Sequence, residues 1–327
     1  MSEPSPTPKR RGRPFRAGSA FMILLAVAGY LVVHYITAGA GGQGCQVVSG
    51  KGDGASYEFT PEQAVNAATI TAVGTGRGLP ERAVTIALAT ALQESALRNI
   101  DHGDRDSLGL FQQRPSQGWG TPKEIMDPSY AAGEFYDHLV KVPGYTRLPL
   151  TVAAQRVQRS GFPQAYAKHE PDAALLAAAL TGQSAATLTC QGRPAATRAT
   201  GPDGVRAALV RDFGNDVLAS AGAEVGGSPA ASQAPSRSAA GESGGRTVTL
   251  PVTEVGGPAG GRDAGRRGWQ LAHWAVANAS QLHIARVTYA GREWVAGNTA
   301  SEWRAASAEG TRSGDRDTDA VRILTMR

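Results

Sequence analysis

Ala91-Leu92-Gln93-Glu94-Ser95-Ala96-Leu97, followed closely by Ser107-Leu108-Gly109-Leu110-Phe111-Gln112, sets the reading of this chain. The first run lies in a helical pattern that opens at Pro80 and is predicted to reach about Asn99. Val84, Leu88, Ala91, Leu92 and Ser95 fall on one 3.6-period face of it. Around Glu94, the positions one and two turns back and one turn on hold Ala87, Thr90, Ala91 and Leu97, all small or apolar. Such surroundings disfavour a bare negative charge, so the carboxyl is expected to keep a proton near neutrality and to serve as an acid. Arg98, four residues on, offers the competing arrangement, a solvated helix ion pair that lowers the pKa instead. Spacing alone leaves both open.

The second run favours the acid. Gly109 permits close backbone approach, while Gln112 and Gln113 offer amide donors and acceptors suited to hydroxyl and acetamido groups. Ser116, Gln117 and Trp119 extend this polar-aromatic character. A loop tryptophan there either stacks on a sugar ring or lids the core.

Outward from this pair the pattern stays helical. Thr60-Pro61-Glu62-Gln63 carries a capping box with proline in the first turn, and Gly74, Gly76 and Gly78 are expected to stop that helix. The glycines do not make a phosphate loop, because no strand precedes them and no Gly-Lys-Ser/Thr follows. Asp127-Pro128 opens a helix carrying Phe135 and Leu139. Leu150 to Arg159 and Pro171 to Leu180 add two more, so 55–190 reads as an all-α domain. A short helical extension, 191–220, includes a helix from Val205 to Phe213 that ends at Gly214-Asn215.

At 327 residues and 41% hydrophobic content, the chain has room for two modest domains with non-globular segments. Residues 221–246 are Gly-, Ala-, Ser- and Pro-rich, cannot build a core, and are expected to be a disordered linker. The remainder, 247–327, is expected to be a small α+β accessory domain. It has a helix from Ala264 to Gln281 and strands at His283 to Tyr289, Arg292 to Ala296 and Val321 to Met326. Trp269, Trp274, Trp294 and Trp303 fall in it, either to fill a small core or to stack on sugars.

The other end carries an address. Residues 1–18 form a basic tail, and 19–40 are apolar for about 20 residues, the length of a bilayer span, which exceeds an ordinary signal core. With Lys9, Arg10, Arg11, Arg13 and Arg16 ahead of it, the tail is expected to stay cytoplasmic and the domains to lie outside a single-pass transmembrane helix or uncleaved signal anchor. The small residues Ala38-Gly39-Ala40 provide the alternative, cleavage after Ala40 and secretion. Of the net charge of +5, +4 precedes the span, leaving +1 outside. That excludes a charge-driven nucleic-acid partner. A transporter is excluded by the single span. Cys45 and Cys190 both lie beyond it, where an oxidising compartment lets them pair or leaves two thiols. In the chain-entropy account, a disulfide closing so long a loop is worth roughly 4 to 5 kcal/mol. No spacing suits a metal site, and no cofactor is expected.

Glu94-Ser95 followed by Gly109-Leu110-Phe111-Gln112 resembles the Glu-Ser and Gly-Leu-Met-Gln signatures of the soluble lytic transglycosylases, with their goose-type lysozyme-like fold. The string Ser107 to Pro115 is similar to that of membrane-anchored transglycosylase-like proteins of actinobacteria. The resemblance covers about 55–190 and implies a mainly α, lysozyme-like catalytic domain acting on peptidoglycan glycan strands. It implies an acid/base role for Glu94 and a sugar cleft lined by Ser95, Ser107, Gly109, Gln112, Gln113, Trp119 and Tyr166. The family's third motif, Ala-Tyr-Asn, is met only by Ala165-Tyr166-Ala167, which lacks the asparagine. The C-terminal region resembles accessory domains of other actinobacterial wall enzymes through Trp269, His273-Trp274, Asn278-Ala279 and Gly291 to Trp294. A single acid implies 1,6-anhydro products, whereas a water positioned by Asp101, Asp104 or Asp106 implies hydrolysis. A non-catalytic wall-binding scaffold is the reading from another class.

Overall fold

The computed structural model describes residues 44–159, 164–219, 244–252, 264–297, 302–306 and 320–327. The basic tail 1–18, the apolar segment 19–40 and the linker as far as residue 243 lie outside them. Among the described residues no helix is long and apolar enough to cross a membrane. Helices and two antiparallel sheets make a mixed fold, and the described residues form one compact unit.

The region expected to be all-α carries a sheet as well. Strands β1 (Cys45–Val48), β2 (Ser56–Phe59) and β3 (Leu188–Cys190) pair in the order β2-β1-β3. Cys45 and Cys190 stand directly opposite each other across β1 and β3 and form a disulfide spanning 145 residues. Strands of three or four residues are too short to leave a periodic signal, and β3 is distant in sequence from the other two.

Helix α1 (Pro61–Gly76) begins with the expected capping box, Thr60 Oγ1 accepting from the Gln63 N–H and Gln63 Oε1 from the Thr60 N–H. It ends at Gly76, within the expected glycine cluster, with Gly78 left-handed (φ 70°) just beyond. A Cβ at Gly74 would meet the Tyr136 hydroxyl at 2.6 Å, and one at Gly76 would meet the Phe213 carbonyl at 3.1 Å, so these two glycines also permit close packing. Helix α2 (Glu81–Ser95) is buried nearly all round from Ala83 to Leu92, which makes it the central rod of the core rather than a one-faced helix. Thr85 and Thr90 sit in that apolar setting because each hydroxyl donates to the carbonyl four residues back. Around α2 pack α1, α4 (Pro128–Leu139), α5 (Leu150–Gln158) and α6 (Glu170–Leu180); α3 (Pro122–Ile125) is a single turn before α4.

Helices α7 (Gly201–Phe213) and α8 (Asp216–Ala219) lead toward the C-terminal region. There β4 (Thr247–Pro251), α9 (Ala264–Ala277), β5 (Ile284–Tyr289), β6 (Arg292–Val295), β7 (Arg304–Ala305) and β8 (Ala320–Thr325) build an antiparallel sheet of order β4-β8-β5-β6-β7. Helix α9 packs on β5 and β8 and also on α1, α6 and β3, so the expected accessory domain shares a buried boundary with the helices. Indole N–H groups cross that boundary: Trp274 donates to Asp212 Oδ2 at 2.8 Å, Trp294 to the Cys190 carbonyl at 2.9 Å and Trp303 to the Leu188 carbonyl at 2.9 Å. All three rings are buried. They act as core and as polar clips, which leaves the sugar-stacking alternative without exposed faces at these positions.

Candidate active site

Glu94 sits in the last turn of α2, and the chain leaves that turn through two successive non-glycine residues in left-handed conformation, Ala96 (φ 53°) and Leu97 (φ 58°). Each such residue costs about 1–3 kcal/mol and persists only when its surroundings enforce it. The enforcement comes from α1: Gln63 Nε2 donates to the Ala96 carbonyl and Asn66 Nδ2 to the Leu97 carbonyl, both at 2.8 Å. The helix therefore ends four residues before the expected Asn99.

The 107–113 segment folds back as a tight loop, with Leu108 and Gln113 exchanging backbone hydrogen bonds of 2.9 and 3.0 Å. Gly109 is left-handed (φ 74°), and a Cβ on it would lie 2.8 Å from the Ile125 carbonyl, so glycine is required on both counts. Leu110 and Phe111 are buried, Phe111 stacking on Phe135 with centroids 4.7 Å apart. The Ser95 hydroxyl donates to the Leu110 carbonyl at 2.8 Å and so ties the loop to the helix end beside Glu94.

The Glu94 carboxyl is half-buried. The Tyr166 hydroxyl donates to its Oε1 at 2.7 Å, and the neighbouring Gln158 amide also favours the charged form. Burial pushes the pKa above the usual carboxylate value, and the two donors, Tyr166 before Gln158, offset part of that rise. Arg98 takes no part, since its Nε donates to the Ser95 carbonyl at 3.4 Å and no ion pair with Glu94 forms. Gln158 Nε2 donates to the Phe111 carbonyl at 2.7 Å, joining α5 to the loop.

Of the expected cleft residues, Tyr166 contacts Glu94 and Ser95 adjoins it, while the others hold the loop and its surroundings. Tyr166 is fully buried and touches the carboxyl directly, without the asparagine that the family pattern has after it. Ser95 and the 2%-exposed Gln113, whose Nε2 donates to the Ala131 carbonyl at 3.0 Å, have side-chain donors committed to the fold. Gln112 reaches back to the His102 and Gly109 carbonyls, both at 3.3 Å, and Ser107 is buried in the same turn. Trp119 lies on His138 at 4.2 Å and packs against the core. Gln158 had no local signal in the sequence, because only the return of α5 toward α2 brings it to the acid.

Of the candidate second carboxylates, Asp106 is held by the Arg114 Nε at 2.6 Å and the Ser116 N–H at 2.9 Å, contacts that keep it firmly ionised. Asp101 is exposed and pairs with His102. Among the described residues no cluster of three or more His, Cys, Asp or Glu side chains suits a metal ion. A cavity of about 690 Å³ opens elsewhere, against α1, α7 and the turn after α9, and Glu94 is not on its wall. Comparison with family models returns no match, and no curated protein matches the chain.

Proposed function

We propose that Glu94 is the general acid/base of a glycan-cleaving site, and that the chain is a peptidoglycan lytic transglycosylase or lysozyme-like muramidase working outside the membrane. One observation carries the reading: a half-buried carboxyl whose pKa is raised by burial, with no cationic partner among the described residues and the neutral Tyr166 hydroxyl donating to it. Such a group holds its proton until a glycosidic oxygen takes it, and Tyr166 and Gln158 then stabilise the carboxylate left behind. In the proposed cycle Glu94 protonates the oxygen between N-acetylmuramic acid and N-acetylglucosamine, and the C1–O bond breaks toward an oxocarbenium-like centre. The muramoyl 6-hydroxyl closes on C1 and returns its proton to Glu94. That route needs one carboxylate, a departure from the usual pair with precedent in substrate-assisted families. It fits the engagement of Asp106 by Arg114 and Ser116.

Glu94→Gln is expected to lower digestion of purified cell wall by at least about 10² to 10⁴, the range of general acid-base catalysis. Unchanged digestion by a folded variant rejects the enzyme. Mass spectrometry of the released muropeptides separates 1,6-anhydro ends from the reducing ends of hydrolysis. The second reading, a non-catalytic wall-binding scaffold, draws on the structural commitment of Ser95 and Gln113. It predicts retention on purified wall with no soluble fragments at any pH.

A further inference from the structure

The 690 Å³ cavity has the size of a small-ligand site and largely apolar walls, with Val65 on α1 and Met126 and Pro128 at the start of α4. Polar side chains also line it, among them the charged Glu62, Lys123 and Asp127, and two groups are placed to fix a ligand's orientation. Asn66 is 5% exposed; its Nδ2 is committed to the Leu97 carbonyl, and its Oδ1 accepts no hydrogen bond among the described residues, which leaves an acceptor for the cavity. Arg211, on α7, donates its Nε to Asp212 Oδ1 at 2.7 Å. Asp212 is itself buried and held by the Thr69 hydroxyl and the Trp274 indole. The guanidinium is therefore fixed in direction, while its Nη1/Nη2 edge has no partner among the described residues. Asp127, whose charge also acts on Arg211, lines the same cavity and caps α4 through its Oδ1. Thr69 is one turn from Asn66 on α1, so its bond to Asp212 brings the free acceptor and the free cationic fork to the same wall.

We propose that this cavity binds the C-terminal end of a short peptide. The terminal carboxylate meets the Nη edge of Arg211 as a bidentate pair, an amide N–H reaches Asn66 Oδ1, and the last side chain lies against Val65, Met126 and Pro128. The lining selects this class over two simpler ones. A fatty acid would use the cation and the apolar walls but leave the buried acceptor of Asn66 unmet. An inorganic anion would use the cations Arg211 and Lys123 and leave both the Asn66 acceptor and the apolar walls unmet. The inference does not rest on the role given to Glu94, since it is read by binding and not by wall digestion.

Titration calorimetry on the full-length protein tests it with N-acetyl-L-Ala-L-Ala, N-acetyl-D-Ala-D-Ala, their C-terminal amides, and acetate. Saturable binding of one of the acids is expected, with its amide weaker by about tenfold or more, as loss of a charge-assisted bidentate contact implies. Preference for the L form points to the end of an ordinary polypeptide; preference for the D form points to the peptide stems of cell wall. Ala195→Trp obstructs the lining without touching Arg211 or Asn66 and is expected to abolish binding. Arg211→Lys keeps the charge that neutralises Asp212 but loses the fork, and is expected to weaken the acid toward its amide. No saturable binding of either acid, equal binding of acid and amide, acetate binding as tightly as the dipeptides, or indifference to both folded variants would overturn the proposal.

Discussion

The proton on Glu94 is set by a balance between burial, which holds it on, and the donors Tyr166 and Gln158, which draw it off. A general acid loses activity as pH rises through its pKa. Removing a donor to the charged form raises that pKa, so Tyr166→Phe is expected to move the alkaline limb of the wall-digestion profile to higher pH. A structural role alone would lower the plateau and leave the limb in place. The same balance bears on stability. A carboxyl whose folded pKa exceeds its unfolded one binds more protons when folded, so its contribution is favourable at low pH and is lost as pH rises past the folded pKa. Glu94→Gln removes that penalty, and its thermal midpoint at pH 8 is expected to equal or exceed that of the parent. A lower midpoint would mean that the carboxylate is a structural partner instead. Glu94 and its small neighbours could be read from the sequence because they lie on one helix. Gln158 could not, being 64 residues away.

At the scale of elements, the end of α2 and the 107–113 loop form one device, pinned by Ser95 to Leu110, Gln63 to Ala96 and Asn66 to Leu97. Gly109→Ala tests it, because the new Cβ meets the Ile125 carbonyl at 2.8 Å in a left-handed backbone. Urea unfolding is expected to show a loss of about 1–3 kcal/mol. A change within error would show that the loop shifts freely. Helix starts were legible wherever a cap or proline marks them, as at Thr60 and Asp127. The end of α2 was not, since Ala96 and Leu97 carry no stop signal and are turned by side chains of another helix. The glycine cluster did mark the end of α1, at Gly76, but that Gly74 and Gly76 also admit Tyr136 and Phe213 could not be read without those neighbours.

In the whole molecule the helical region and the C-terminal sheet meet at His273, which is fully buried. Its Nδ1 donates to the Ala179 carbonyl at 2.7 Å, and its Nε2 accepts the Thr187 N–H at 3.2 Å, an arrangement only the neutral ring can make. Burial outweighs the Ala179 contact and pushes the pKa down to about 4. Above pH 6.5 the group is neutral folded or unfolded and stability does not depend on it. As pH falls from 6.5 toward 4 only the unfolded chain takes the proton, so stability declines, by ~3 kcal/mol in all. His169, also lowered by burial, adds in the same sense, whereas Glu81 and Glu94 oppose it. Denaturant midpoints between pH 7 and 4.5 are expected to fall for the parent and to flatten in His273→Gln; parallel declines would assign the effect to other groups. By itself the sequence determined what acts locally: the caps that open helices, the apolar setting of Glu94, and the glycine the loop requires. Tertiary structure alone decided which donors reach the acid, where α2 stops, and that the tryptophans clip sheet to helix, because those outcomes depend on residues distant in the chain being pressed together in a dry interior.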